Sequence, residues 1–324
     1  MNNVLISIII PVYNVESYIA ECLDSVFEQD LSPSEYEVIC VNDGSTDNSR
    51  RIIESYLQNH ANLIVIDHPC NLKLGSARNT GISIAKGKYI WHVDSDDFIA
   101  PFCLKEIVKI CQERHVDILE FGYIGAADEP ISNNEPLRTS EIVNGQEYIK
   151  RYFLSNFGAI CPIWRRVYRR EFLLSNEILS PPINMGEDSP YAIQVFVLAK
   201  YVSYEHKNWY YHRINTNSLV GSSKQNWTAQ KWYEASIECA RFLDNTYQKV
   251  SIYVEPDIKK AIINMIKYFI LYWDNFDNLM DSETKFEFWR ICRSNCWQNR
   301  FVIRYLNRHT LPMYFYNMYY KWTH

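Results

Sequence analysis

No run of about 18 apolar residues occurs in this chain of 324 residues, and its N-terminal MNNVLISIIIPVYN has neither a basic stretch nor a small-residue cleavage site. The sequence therefore predicts neither a transmembrane helix nor a signal peptide, and it places the chain in the cytosol. CxxC pairs are also missing. The 9 cysteines are an odd number, which argues against a disulfide framework in that compartment. Cys292 and Cys296 stand at i, i+4 spacing without a second ligand pair, so a structural zinc is not expected. After the first apolar run, where a dinucleotide fold needs G-x-G-x-x-G, the chain reads PVYNVES, and no P-loop pattern occurs. That disfavours NAD, FAD and a Walker-type ATPase or kinase. Basic residues are not in excess either: a net charge of -5 and a pI near 5.9 give no pull toward nucleic acid.

What is present is a globular composition, 47% hydrophobic and 22% charged. From residue 4, short apolar runs alternate with amphipathic segments: VLISIII, ESYIAECLDSVFEQ, YEVICV, STDNSRRIIESYLQNH, LIVID. GSARNTGISIAKG then reads as a helix closed by Gly87, KYIWHVD as a strand, and PFCLKEIVKICQERH as a helix with Pro101 in its first turn. Such a pattern predicts an α/β fold with a parallel sheet and helices on both faces. The polar GAADEPISNNEPLRTSE reads as an exposed loop. NGQEYIKRYFLS reads as a helix, IWRRVYRREFL as a strand or turn leading into a short helix, and EDSPYAIQVFVLAK as another helix. Helical periods dominate beyond about residue 226. The expected organisation is 1–222, with halves 1–122 and 123–222, followed by a helical C-terminal domain over 223–324.

In an open parallel sheet, ligands bind beyond the carboxyl ends of the strands. Those ends are PVYN, NDGSTD, DHPCN and DSDD. The last is the most pointed: Asp94, Asp96 and Asp97 crowd together in YIWHVDSDDFIAP with no Lys or Arg to offset them. A metal ion, bulk water or helix N-termini could supply the compensation.

SIIIPVYN, VNDGSTDNS, GSARNTGISIAKGKYI leading into HVDSDD, and GEDSPY, in that order over roughly the first 220 residues, resemble family 2 glycosyltransferases of the GT-A fold. The resemblance implies an inverting transferase that moves a sugar from a nucleotide diphosphate sugar, a UDP sugar foremost. The acceptor would be a glycan or lipid-linked glycan in bacterial surface polysaccharide synthesis. Asp94 and Asp96 match the family's Asp-x-Asp, which holds Mn²⁺ or Mg²⁺ against the diphosphate; Asp96 is the direct ligand, and Asp94 lies nearer the ribose or a second shell of contacts. Asp97 fits a turn role beside the next helix. Asp43 matches the base-binding aspartate, with Pro11, Tyr13 and Asn14 lining the same pocket, although Asp-Gly-Ser-Thr-Asp is also good turn chemistry. Arg78 matches an arginine near the nucleotide or serves an ion pair. Asp188 matches the catalytic base, with Glu187 supporting it or contacting the acceptor. YYHRINTNSLVGSS falls where the family often has a mobile loop, so His212 and Arg213 reach toward phosphate, and His212 toward the metal, or else lie in solvent. Trp164 is an acceptor contact or a core residue.

A non-catalytic nucleotide-sugar or carbohydrate-binding module on the same fold is the alternative. A nucleotidyltransferase is disfavoured, because PVYNVES is not a Gly-rich, basic loop for a triphosphate. Residues 285–324 carry seven Lys or Arg against Glu287 alone, among many aromatics. That composition fits peripheral docking on an anionic membrane surface, with packing on the acidic catalytic domain or a dimer contact as the other options.

Overall fold

Runs of β-branched residues become strands here because both of their faces are covered. β1 (Ile6–Val12) and β2 (Tyr36–Asn42) are buried at every position, as near-continuous Val/Ile runs are when neither face meets water. The computed structural model describes residues 4–125, 138–153, 162–183, 186–213, 228–260 and 262. Successive side chains of a strand point to opposite faces. Accordingly, Ile9 packs in one core with Ala77 and Ile82, while Ile8 and Ile10 pack in a second with Leu23, Val26 and Leu104. Helices α1 (Ile19–Phe27) and α2 (Ser49–Tyr56) follow β1 and β2. In α1 the buried residues Ile19, Cys22, Leu23 and Val26 recur at i, i+3, i+4 and i+7, the stripe a core-facing helix needs.

β3 (Leu63–Asp67), α3 (Leu74–Ile84), β4 (Tyr89–His92), β5 (Phe98–Ile99) and α4 (Leu104–Arg114) complete the first half. The second contains β6 (Ile118–Gly125), α5 (Gly145–Tyr152), β7 (Arg166–Arg169), α6 (Arg170–Ser175), α7 (Asp188–Leu198), β8 (Val202–His212) and α8 (Ala229–Val250). The sheet order is β3-β2-β1-β4-β7-β6-β8-β5. β1 runs parallel to β2 and β4, and β2 to β3, as the alternating pattern predicts. β7 then runs antiparallel to both β4 and β6, so the whole sheet is mixed. Pro11 is tolerated in β1 because the ladder with β4 ends at Ile9 and His92, below the proline's missing N–H.

Several expectations need correction. Gly87 does not cap α3; the helix ends at Ala85 without a left-handed residue. A Cβ at Gly87 would lie 2.5 Å from the Ser7 nitrogen, so the glycine permits close passage past β1. Pro101 precedes α4 rather than opening it. Phe102, with φ 54, makes the turn, and the helix starts at Leu104. β8 was not anticipated, and Tyr210, Tyr211 and His212 are its last residues instead of a loop. In the expected exposed loop, 126–137 lie outside the described residues, but Arg138 is buried and paired with Glu120. α7 is buried on nearly all sides, and Cys239 and Leu243 of α8 share its core with Tyr191 and Val195. Residues 214–227, the sequence 285–324 and the Cys292/Cys296 pair lie outside the described residues.

Candidate active site

β2, β1 and β4 are adjacent and parallel, so Asp43, the Tyr13–Asn14 turn and Asp94 emerge at the same edge of the sheet. Two strand spacings separate Asp43 from Asp94, on the order of 10 Å. Asp43 is only 2% exposed, and its Oδ1 accepts from His68 Nδ1 at 2.7 Å and from the Leu72 amide at 2.8 Å. The approach of this turn requires Gly44, which has φ 72 and whose Cβ would lie 2.7 Å from the Cys70 carbonyl carbon. Tyr13 is 47% exposed at the mouth, and Pro11 is buried in the strand behind it. Asn14, expected to line the pocket, has its side-chain oxygen accepting from the Thr46 amide at 2.8 Å. It ties the first turn to the second. Asp47 serves the turn before α2, accepting from the Glu16 and Ser49 amides at 2.9 Å each.

Arg78, fully buried on α3, gathers the acids. Its Nη2 donates to Asp94 Oδ1 at 2.9 Å, and its Nη1 donates to Asp188 Oδ1 at 2.9 Å and Glu187 Oε1 at 3.1 Å. Of the two readings of Arg78, the ion pair is the one observed. Burial opposes its charge, but Asp94, Asp188 and Glu187 more than compensate and raise its pKa. Asp188 begins α7, where the helix dipole favours an anion, and its side chain keeps 24% exposure. Burial and the neighbouring Glu187 nonetheless push the Asp188 carboxyl well above the usual carboxylate range, with Arg78 pulling it back. His92, also buried, is held neutral by burial and by the nearby Arg78.

Beyond β4, Tyr210 organises the acidic loop. Its hydroxyl accepts from the Asp94 amide at 3.1 Å and donates to Asp97 Oδ2 at 2.6 Å, while the Arg213 amide donates to Asp97 Oδ1 at 2.7 Å. Asp97 is thus a buried turn residue, as its position suggested. Burial, then Asp94 and Asp96, push its carboxyl up to about 8 against these hydrogen bonds. Asp96 is half-buried beside it.

The acceptor-side and phosphate-side expectations fare differently. Trp164 is 7% exposed and stacks with Tyr210, ring centroids 4.4 Å apart, and with His212 at 5.3 Å. Of its two readings, the structure shows the core residue and not an open acceptor contact. His212 is exposed, and among the described residues no group of three or more His, Cys, Asp and Glu is spaced to hold a metal, so it does not join Asp94 and Asp96 in such a cluster. Arg213 pairs with Glu21 at 2.7 Å and lies over the Tyr18 and Phe98 rings instead of standing open for a phosphate.

The donor set still fits Mg²⁺ or Mn²⁺. Such ions are commonly held by one or two carboxylates plus substrate phosphates rather than by an all-protein cage, and Asp94 and Asp96 supply hard oxygen donors of that kind. His68 and Tyr210 were missed in the sequence. His68 follows a strand-end acid in DHPCN and could have been flagged, but nothing near Tyr210 announces a partner 113 positions away.

Known proteins resemble this chain in sequence and fold. The chain is 36% identical over 224 residues to the uncharacterized glycosyltransferase EpsJ of Bacillus subtilis, covering 67% of this chain and 63% of EpsJ. It is 31% identical over 208 residues to the poly(ribitol-phosphate) beta-N-acetylglucosaminyltransferase TarS of Staphylococcus aureus, covering 64% of this chain and 35% of TarS. The matched region thus spans less than two thirds of either relative. The crystal structure of S. aureus TarS 1-349 in complex with UDP-GlcNAc superposes with a TM-score of 0.65 at 26% identity, covering 88% of this chain and 79% of that one. The model of glycosyl transferase family 2 matches residues 7–174. The chain belongs to glycosyl transferase family 2, with the GT-A fold of its structural relatives.

Proposed function

We propose that the protein is an inverting glycosyltransferase that moves a hexosyl or N-acetylhexosaminyl group from a UDP sugar to a hydroxyl of a glycan or lipid-linked glycan. The observation that carries this reading is the Arg78 bridge. One buried guanidinium holds Asp94, on the diphosphate side, within a hydrogen bond of the group that also holds Asp188. Asp188 takes the proton of the acceptor hydroxyl as that oxygen attacks the anomeric carbon. The bond from that carbon to the diphosphate oxygen breaks in the same displacement, and its electron pair leaves with the diphosphate. Glu187 raises the proton affinity of Asp188, and Arg78 opposes that rise. Asp43 and Tyr13 hold the base of the donor. Asp96 and Asp94 would hold Mn²⁺ or Mg²⁺, which would supply positive charge against the diphosphate. The UDP sugar is favoured by the UDP-GlcNAc bound in TarS, and a surface polymer by that relative's poly(ribitol-phosphate) substrate.

The test is direct. Incubated with Mn²⁺ and a panel of nucleotide sugars, the protein releases nucleoside diphosphate. Asp188→Asn keeps donor binding but loses transfer by about 10³-fold. Undiminished transfer in that variant removes Asp188 as the base, and donor binding without turnover on any acceptor favours a binding module.

The basic stretch 285–324 places the enzyme on the inner face of the membrane by electrostatic docking. The full chain should co-sediment with anionic vesicles, less so at high salt, and not with neutral ones. Equal sedimentation with both removes this localisation.

A further inference from the structure

Asp43 is held by one oxygen only. His68 Nδ1 at 2.7 Å and the Leu72 amide at 2.8 Å both reach Oδ1, and among the described residues Oδ2 accepts no hydrogen bond. A carboxylate only accepts, so Nδ1 of His68 carries the proton; in the neutral ring, Nε2 is then the acceptor for the Thr80 hydroxyl 2.9 Å away. The side chains of His68 and Asp43 are 7% and 4% exposed, so water competes little for these bonds. Thr80 lies on α3 and Leu72 immediately before it. The orientation of Asp43 is therefore set by the helix that also carries Arg78.

Occupying one oxygen has a consequence for which base the carboxylate accepts. Uracil presents a single donor, N3–H, between two carbonyls. Guanine presents two donors on one edge, N1–H and the 2-amino group, which a carboxylate meets best with both oxygens. Cytosine also offers one donor, its 4-amino group, but the N3 lone pair beside it is repelled by the carboxylate. We propose that His68, backed by Thr80, is a specificity-determining positioning residue that reduces Asp43 to a one-oxygen reader and thereby selects uracil over guanine in the donor. This rests on the glycosyltransferase reading, in which Asp43 faces the base.

The experiment is calorimetric titration of the full chain with UDP, GDP and CDP in the presence of Mn²⁺, alongside thermal melting. Wild type should prefer UDP to GDP by about tenfold or more. His68→Leu frees one of the two acceptor positions used on Oδ1, the Leu72 amide keeping the other, and should narrow that ratio at least about fivefold, the effect of losing one hydrogen bond. His68→Asn, whose amide can still donate to Oδ1, should retain it. Thr80→Val should narrow it in the same direction and serves if His68→Leu does not fold. CDP should stay weak throughout. A purely structural His68 would lower the melting temperature and leave the UDP to GDP ratio unmoved. That result, or a wild-type preference for GDP, overturns the proposal while leaving the transferase reading intact. A wild type that binds no nucleoside diphosphate sinks both.

Discussion

Arg78 shows how much of the site depends on a single side chain. A guanidinium reaches Asp94 with one nitrogen and Asp188 and Glu187 with another; an ammonium is a point charge that cannot span the same gap. Arg78→Lys should therefore fold yet lose transfer by about 10²-fold, the scale of a misplaced reacting group, with a smaller change in donor affinity. Steady-state kcat and donor titration separate the two. The pH profile supplies a second check. Transfer requires Asp188 in its base form, and burial with Glu187 raises its pKa above 3.8 while Arg78 lowers it. The acid limb of kcat should lie above the ordinary carboxylate range in the wild type and move higher still in Arg78→Met. An acid limb that stays in place shows that the limb does not report Asp188. At this scale the acids were legible, since Asp94, Asp96 and Asp188 stand out by spacing and order. Their partners were not: Arg78 meets Glu187 and Asp188 across 109 and 110 positions, and local pattern carries no such information.

The elements were read well where periodicity was strong and less well where packing overrode it. α3 contains Gly75 and Gly81, which by helix propensity alone weaken it, since alanine normally gains about 1 kcal/mol over glycine inside a helix. Contact explains them. A Cβ at Gly75 would stand 2.0 Å from the Pro181 carbonyl oxygen, and one at Gly81 would stand 2.4 Å from Ile9 Cγ2. The first obstacle is backbone and the second a core side chain that can shift. Both alanine variants should therefore lose stability against the helix scale, Gly81→Ala by about 1–3 kcal/mol as ordinary overpacking and Gly75→Ala by more. Urea midpoints at constant slope measure this. A stabilised Gly75→Ala would mean that α3 does not sit this close to the 178–183 segment. The same reasoning accounts for Gly87, read from the sequence as a helix end but required by the neighbouring strand. β8 escaped notice because VSYEHKNWYYH lacks the continuous apolar run of the first strands; three of its central residues are exposed.

For the molecule as a whole, the first half followed from sequence because its contacts repeat one unit, a strand followed by a helix. The second half has no such repeat, and its sheet is joined by a charge cluster that pattern cannot show. Arg165 and Arg166 stand in IWRRVYRREFL like surface residues, yet both are buried. Arg166 Nε donates to Glu120 Oε2 at 2.8 Å, Arg165 approaches it at 3.4 Å, and Arg138 pairs with it from a different segment. Burial alone would raise the Glu120 pKa, but Arg138, Arg166 and Arg165 together lower it from 4.5 to about 2. A carboxyl depressed in the folded state binds its proton more readily when unfolded. Its contribution is complete above pH 4.5 and is lost progressively as pH falls toward 2. Stability should therefore decline with acid through that window. Glu120→Gln should flatten the decline and cost about 3–5 kcal/mol at neutral pH, because it leaves buried arginines without their carboxylate. Melting temperature followed from neutral pH into that window in both proteins decides it. A Glu120→Gln variant with the wild-type acid slope would show that the cluster does not govern global stability.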